Sequence, residues 1–423
     1  MTRLSGHKNG RAYLDWNASA PLRADARKAM LRAMDEAGNP SSVHAEGRKA
    51  KAIVERARAQ VAELVDCDTS EVVFTSGATE SAAMAIGSKP WRRILTSQVE
   101  HDAVSAAIAR TGAEIYHLGT DATGAIALDD VGEHVQAVNE LEEDQWLLPT
   151  TSGPLYGKEP SLLQDKSDLI CLQAANGETG VYHQLDQHLD HAGHSVTSIC
   201  DLTQVAGRSV RAPDIRGGRR DPLGEHTRER VYNYGILSSH KMGGPKGVGA
   251  LIARDGSDIA PMISGGGQEH GRRSGTENVT AIAGFGAAAE AAKKVQEAGV
   301  WEEVAGLRNN LEVALEDAAP DLLIFGKDAP RLPNTSCFAM PGWKGETQVM
   351  QMDLAGFAIS AGSACSSGKV NRASAVLTAM GCDEVTASSA IRVSIGPATK
   401  KAELESFASA WISAYRRWKA KAA

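Results

Sequence analysis

The sequence predicts an α/β fold: a large domain built on a mostly parallel sheet covered by helices, with a smaller α+β domain. Three observations carry this. Between Glu71 and Ile252, short apolar runs of strand length alternate with helical or polar stretches, the pattern of βα units. From about Ala281 the pattern changes to long Ala/Glu/Lys-rich helices followed by short strands. The chain has 423 residues, 42% hydrophobic and 23% charged, enough for one large α/β domain and a satellite. The boundaries expected are 13–263 for the large domain and 264–423, joined by the N-terminal segment 1–30, for the smaller one.

The elements follow in order. Tyr13-Leu14-Asp15-Trp16-Asn17 reads as a short extended piece, and an Ala-rich helix runs from Pro21 through Met34. Gly38-Asn39-Pro40-Ser41-Ser42 breaks it. The next helix places Ile53, Val54, Ala57, Val61, Leu64 and Val65 on one face, with Lys51, Glu55, Arg58 and Glu63 expected outside. Glu71–Thr75 is a strand, and Ser76-Gly77-Ala78-Thr79-Glu80-Ser81 a turn opening a helix. Ile94–Thr96 is a strand with His101 just beyond it, at the start of a helix. Glu114–Leu118, Asp168–Ala174 and Ser195–Cys200 continue the strand series. Val231–Leu237 and Val248–Ile252 flank a tight connection. Strands near Ser336–Met340 and Phe357–Ser360, and a final helix after Thr399, belong to the smaller domain. Residues 141–167 and 211–230, rich in Pro, Gly, Arg and Asp, read as surface excursions.

Composition narrows the function. A net charge of −7 argues against nucleic-acid binding, and no apolar run approaches the roughly 20 residues that span a bilayer. Met1–Arg11 lacks the apolar region of a secretory signal. The cysteines at 67, 171, 200, 337, 365 and 382 show neither metal-ligand nor disulfide-framework spacing, so no metal is expected, and a reducing cytoplasm is the simplest compartment.

The connection Ser238-Ser239-His240-Lys241-Met242-Gly243-Gly244-Pro245 is where the chemistry gathers. A lysine among small residues, beside a histidine and two serines, is suited to forming a Schiff base with a bound aldehyde. Pyridoxal phosphate would need more, and the chain offers it. The Ser76–Thr79 turn, including Ala78 and Thr79, supplies backbone donors at a helix start for a phosphate. Asp201 ends an apolar strand, where a carboxylate seldom lies without a partner, and suits a pyridine nitrogen. Gln204 follows at a distance suited to the ring hydroxyl, and His101 could stack on the ring.

These motifs, with others, resemble the cysteine desulfurases of the nitrogen-fixation and iron–sulfur-cluster type, fold type I (aspartate aminotransferase-like) pyridoxal-phosphate enzymes. The resemblance runs through Tyr-Leu-Asp at 13–15, Gly-Asn-Pro-Ser-Ser at 38–42, Phe-Thr-Ser-Gly-Ala-Thr-Glu-Ser at 74–81 and Glu-His at 100–101. It continues with Ala-Asn-Gly-Glu-Thr-Gly-Val at 175–181, Asp-Leu-Thr-Gln at 201–204 and Ser-Ser-His-Lys-Met-Gly-Gly-Pro-Lys-Gly at 238–247. The last matches are the Gly-Gly-Gly-Gln-Glu-His-Gly-Arg-Arg-Ser-Gly-Thr-Glu-Asn run at 265–278, Ser-Ala-Gly-Ser-Ala-Cys at 360–365 and Ile-Arg-Val-Ser at 391–394.

The resemblance implies a seven-stranded-type sheet and a set of roles. Lys241 would hold the cofactor and shuttle protons, Asp201 would pair with the pyridinium, and Gln204 would meet the ring hydroxyl. His101 would stack on the ring and assist proton transfer. Thr79, Ser238 and His240 would hold the phosphate, and Thr276 would reach the phosphate of a neighbouring subunit in a homodimer. Asn176 and Arg392 would orient L-cysteine, with Arg392 on its carboxylate. Cys365, in a small, polar, Gly-rich run, would attack the substrate sulfur and carry it as a persulfide to an acceptor or scaffold protein. The other five cysteines are expected to be buried small hydrophobes.

Some features depart from the family pattern: Leu202 is larger than the usual residue after the aspartate, the two excursions are long, and little chain follows the last helix. They leave acceptor identity open, including delivery to iron–sulfur clusters. A selenocysteine lyase, a transaminase without sulfur chemistry and a non-catalytic scaffold are the alternatives. The scaffold predicts loss of Lys241, Asp201 or Cys365, and all three are present.

Overall fold

The computed structural model of the protein describes residues 11–126, 136–137 (backbone), 167–183, 196–208, 232–254, 259–362 and 373–422. Apart from Ser167, the two excursions lie outside these residues, as does Cys365.

An eight-stranded sheet forms the centre of the large unit. Its strands are β2 (Val72–Thr75), β3 (Arg93–Ser97), β4 (Glu114–Leu118), β5 (Gln136–Ala137), β6 (Asp168–Gln173), β7 (Thr197–Asp201), β8 (Tyr234–Ser238) and β9 (Gly249–Ala253). Their order across the sheet is β2-β9-β8-β7-β6-β3-β4-β5. The run from β8 through β7, β6 and β3 to β4 is parallel, whereas β9 is antiparallel to both β8 and β2, and β5 is antiparallel to β4. The two-residue edge strand β5 is the addition to the seven expected.

Side-chain alternation along these strands builds two cores, because successive residues point to opposite faces. Val72, Phe74, Ile170, Leu172, Cys200, Ala250 and Ile252 enter one core. It is closed by α2 (Ala45–Val65) and α5 (Val279–Glu297), with α1 (Ala24–Met34) packed against α5. Val73, Leu169, Cys171, Ile199, Leu251 and Ala253 enter the other, under α3 (Ala78–Ile86) and α4 (Asp102–Ile108).

The topology fixes where chemistry can sit. β3, β6, β7 and β8 are parallel, and β2 runs the same way because two antiparallel pairings separate it from β8. All five therefore end at one edge of the sheet, the usual ligand edge of an open α/β sheet. The expected site residues follow these ends: Ala78 and Thr79 after β2, His101 after β3, Asn176 after β6, Asp201 and Gln204 at β7, and Ser238 to Lys241 at β8.

A second sheet is antiparallel, ordered β10 (Leu323–Phe325), β11 (Thr335–Ala339), β14 (Ala390–Ser394) and β13 (Ser360–Ala361). Beside it β1 (Ala12–Tyr13) pairs with β12 (Phe357–Ala358). α6 (Val300–Ala318), α7 (Gly345–Leu354) and α10 (Lys401–Ala422) cover this sheet, and Phe338, Trp343, Phe407, Trp411 and Tyr415 are buried there. Short helices α8 (Ala375–Ala379) and α9 (Glu384–Ser388) complete the unit.

Two expectations need correction. Arg58 is buried rather than outside on α2. Its guanidinium donates from Nη1 and Nη2 to the two oxygens of buried Glu269, both at 2.8 Å, and Nη1 also donates to the Val72 carbonyl. Helical spacing gives the direction of a side chain but not what distant segment meets it; here the 268–271 turn supplies a carboxylate. Among the cysteines, Cys171, Cys200 and Cys337 are buried, but Cys67 and Cys382 are only partly so. Both lie on turns just past helix or strand ends, where one side stays wet.

Candidate active site

The turn after β8 is shaped by its neighbours. Gly243 adopts φ +88°, and a Cβ there would fall 2.7 Å from Arg23 Cγ, so only glycine fits without displacement. The N-terminal segment holds this turn in place. Ala20 N donates to the His240 carbonyl at 2.9 Å, Arg23 N to the Gly243 carbonyl at 2.8 Å, and Arg23 Nε to the Met242 carbonyl at 2.7 Å. Lys241 is thereby turned toward Asn17 and Ala18, whose carbonyls accept from its Nζ at 2.6 and 3.2 Å.

A cleft of about 530 Å³ opens above the sheet edge. Ala78, Thr79, His101, Asp201, Gln204, Ser238, His240 and Lys241 all line it. Eight of the expected residues, drawn from four strand ends, thus converge. His101 caps α4: its Nδ1 accepts from Ala103 N at 3.1 Å, which places a neutral ring's proton on Nε2. Asp201 accepts from Thr203 N at 2.8 Å. Burial, then the charges of Lys241, Lys246 and Arg208, push the His240 imidazole down to about 4, so it is neutral at physiological pH. The backbone N–H groups of Ala78 and Thr79, in the first turn of α3, have no protein acceptor among the described residues.

Three expected residues lie away from the cleft lining. Thr276 is exposed on the loop before α5. Asn176 is buried and closes its own turn: its Oδ1 accepts from Glu178 N at 2.8 Å and Thr179 N at 2.9 Å, and its Nδ2 donates to the Val99 carbonyl. Arg392, 3% exposed on β14, donates from Nη2 to Asp15 at 2.8 Å and from Nη1 to the Gly177 carbonyl at 3.0 Å. Gly177 lines the cleft, so Arg392 stands directly behind its wall. Ser360 of β13 pairs with Arg392, and the chain then passes Gly362 toward Cys365.

Several residues of this region went unnoticed in the sequence. Asn17 is a junction: Gly177, Thr335, Ser394, Arg208 and Asn334 all hydrogen-bond to it. Glu100, in the Glu-His pair, is buried; its Oε1 accepts from Ser97 Oγ at 2.7 Å and Gln173 N at 3.0 Å. Burial, and to a lesser degree the charge of Asp201, push Glu100 up to about 8. Glu178 is pushed up to about 7 by burial, against a hydrogen bond from Ser374 and the charge of Arg392. Glu100 and Glu178 sit inside quoted motifs and Asn17 two residues past one, which was the signal available for each.

The fold and the lysine-bearing cleft define the class. The family described as aminotransferase class-V matches residues 12–141 and 226–407, and the chain belongs to it. The unmatched stretch carries Asn176, Asp201 and Gln204, which the structure nonetheless brings to the same sheet edge. Within the class, similarity is to cysteine desulfurases. One from Cereibacter sphaeroides is 35% identical over 93% of both chains. A NifS-like protein from Rickettsia africae is 27% identical with a TM-score of 0.79, covering 96% of this chain and 99% of that one. A structure titled SspA in complex with cysteine is 26% identical with a TM-score of 0.66, covering 91% and 99%.

Proposed function

We propose that this chain is a pyridoxal-phosphate-dependent cysteine desulfurase that converts L-cysteine to L-alanine and leaves the sulfur as a persulfide on Cys365. The observation that carries the reading is the meeting of Lys241, Asp201, Gln204 and His101 around one cleft at the carboxyl edge of the sheet. Its volume lies within the ordinary range for small-molecule sites.

The cleft fits the cofactor on its donor set. Open N–H groups at the start of α3, the Thr79 and Ser238 hydroxyls and the neutral His240 offer neutral donors for a phosphate. Asp201 offers a carboxylate for a pyridinium, Gln204 an amide for the ring hydroxyl, and Lys241 an amine for the aldehyde. When bound, pyridoxal phosphate supplies the electron sink that lets the substrate's α-proton leave and its carbon–sulfur bond break.

The chain's own groups do the rest. Lys241 Nζ accepts and returns protons at the substrate carbons, with the His101 ring assisting. Arg392 binds the substrate carboxylate, exchanging its present partner Asp15 for the ligand. The thiolate of Cys365 attacks the substrate sulfur; the electron pair of the broken bond leaves with carbon, which takes up a proton. Cysteine and a thiol thus become alanine and a persulfide, with atoms and electrons balanced. Exposed Thr276 is suited to reach the phosphate of a second copy, so a homodimer completes each site. A sulfur-acceptor protein relieves Cys365 of its sulfur, and a reducing cytoplasm suits that chemistry.

The test is the absorbance spectrum of the purified protein, followed by sulfide and alanine release from cysteine, with and without Cys365→Ala. A yellow protein whose sulfide production is lost in the variant supports the reading. A colourless protein that takes up no added cofactor overturns it. A yellow protein with unchanged activity in the variant keeps the cofactor but removes the persulfide.

A further inference from the structure

Arg208 lies one layer below the cleft and is 2% exposed, yet among the described residues no carboxylate pairs with it. A buried guanidinium is costly unless its donors are met. Here the partners are all neutral oxygens. Nη1 donates to Asn17 Oδ1 at 2.8 Å and Gln204 Oε1 at 2.9 Å; Nη2 donates to the Trp16 carbonyl at 3.3 Å and, at closer range, to the Lys241 carbonyl. One cation thus ties together the N-terminal segment, the residue facing the ring side of the cleft, and the turn that carries the lysine.

Two consequences follow from chemistry alone. Guanidinium has five donors and no acceptor. Gln204 must therefore point its amide oxygen at Arg208, which leaves its NH₂ group on the other side; Nε2 donates to the Asn17 carbonyl at 3.3 Å. The second consequence is electrostatic. A neighbouring positive charge disfavours a protonated amine. Arg208 remains a cation at neutral pH although burial, with the charges of Arg392 and Arg23, draws it down to about 9. Its field already reaches the lysine turn, since it is one of the charges that hold His240 neutral.

We propose that Arg208 is a positioning residue of the lysine site, a buried cation whose fork orients Gln204 and clamps the Lys241 turn while its charge favours the neutral, nucleophilic amine of Lys241. This rests on the reading of Lys241 as the amine that receives the cofactor aldehyde. Among the described residues, the other charged groups that share the cleft with Lys241 are His240 and Lys246 on its own connection, Asp201 at the end of β7, Glu80 on α3 and His101 before α4, and Arg23 bonds the neighbouring Met242 carbonyl. Replacing Arg208 removes the smallest of the charges that hold His240 near 4, but burial, Lys241 and Lys246 still keep that ring neutral over the range titrated, so the variant reads the arginine.

The experiment is competitive labelling of the full-length chain, freed of cofactor with hydroxylamine, by trace acetic anhydride from pH 6 to 11. Peptide mass spectrometry reads the extent of acetylation at Lys241. The wild type is expected to titrate below the ordinary lysine value of about 10.4. In Arg208→Gln the midpoint should rise by about one unit, making Lys241 about tenfold slower to label at pH 7.5. Arg208→Lys, which keeps the charge and loses the fork, should retain the wild-type midpoint. A wild-type Lys241 that titrates at the ordinary value overturns the proposal even if no variant folds. So does a folded Arg208→Gln chain with an unchanged midpoint. The labelling needs no cofactor: if the protein binds no pyridoxal phosphate, the functional reading fails while the Lys241 midpoint still decides the role of Arg208.

Discussion

Glu100→Gln is expected to stabilise the protein at neutral and alkaline pH while leaving it unchanged near pH 4. The carboxyl of Glu100 is enclosed beneath the cleft; its Oε1 is met by Ser97 and Gln173, and Oε2 faces no protein partner among the described residues. Folded, it holds its proton up to about pH 8; unfolded, it releases it near pH 4.3. The native state therefore binds the extra proton, and stability falls as pH rises from about 4.3 toward 8. Integrated to pH 7, the loss is on the order of 4 kcal/mol. Glutamine copies the neutral acid: its oxygen keeps both donors, and its amide has no charge to release. Urea unfolding at half-unit steps from pH 4 to 8 measures the effect. The two proteins should coincide near pH 4 and diverge steadily above it, the variant being more stable by about 1 kcal/mol already at pH 5. Glu178, pushed up to about 7, retains a smaller slope of the same sign in both. Parallel curves over the whole range would show that Glu100 is ionised in the folded protein and refute the reasoning.

Other perturbations test different links. Arg58→Met leaves Glu269 buried without its cation, and thermal unfolding should register a loss of about 3–5 kcal/mol; replacing both partners by apolar residues should recover most of it. Neutral His240 contributes stability that is complete above about pH 6.5 and is lost as pH falls toward 4, because the unfolded imidazole takes a proton first. His240→Gln should flatten the acid limb of the unfolding curve, and an unaltered limb would assign it to other groups. Arg392→Lys loses the planar fork that meets Asp15 and Gly177. The ratio kcat/KM for cysteine should drop at least about tenfold, mainly through KM, with the absorbance of the bound cofactor preserved. Gly362→Ala would put a Cβ 2.6 Å from Glu178 Oε1; sulfide release should fall while cofactor binding, measured by absorbance, stays intact.

What sequence could and could not reveal divides along physical lines. Strands β2, β3, β4, β6, β7, β8 and β9 were legible because each is a short apolar run between turn-forming residues, a local property. β14 was not: Ala390–Ser394 is buried throughout and carries Arg392 in its middle, so it shows neither alternation nor a pure apolar run. α7 was missed for a related reason. Its Met350 and Leu354 are exposed while Met352 is buried, so apolar residues do not mark one face. The site residues expected at strand ends converge because parallel strands deliver their carboxyl ends to one edge, which makes position along the chain a guide to position in space.

The supporting layer has no such guide. Asn17 follows β1 of the two-stranded β1–β12 pair, Arg208 follows the aspartate strand, and Asn334 precedes β11, yet the three meet through the Asn17 Oδ1 atom at 2.8 and 3.0 Å. Nothing in their sequence spacing records that meeting. The same Asn17 contributes its carbonyl to Lys241, so the amine is held by a segment that also bonds Thr335 and Ser394 of the smaller sheet. A shift between the two sheets would consequently move the acceptor of Lys241 Nζ as well as the Asp15–Arg392 pair, which bridges the same N-terminal segment to β14. In the proposed reading, the cofactor amine and the substrate-carboxylate anchor therefore share one mechanical link through Asp15, Trp16 and Asn17.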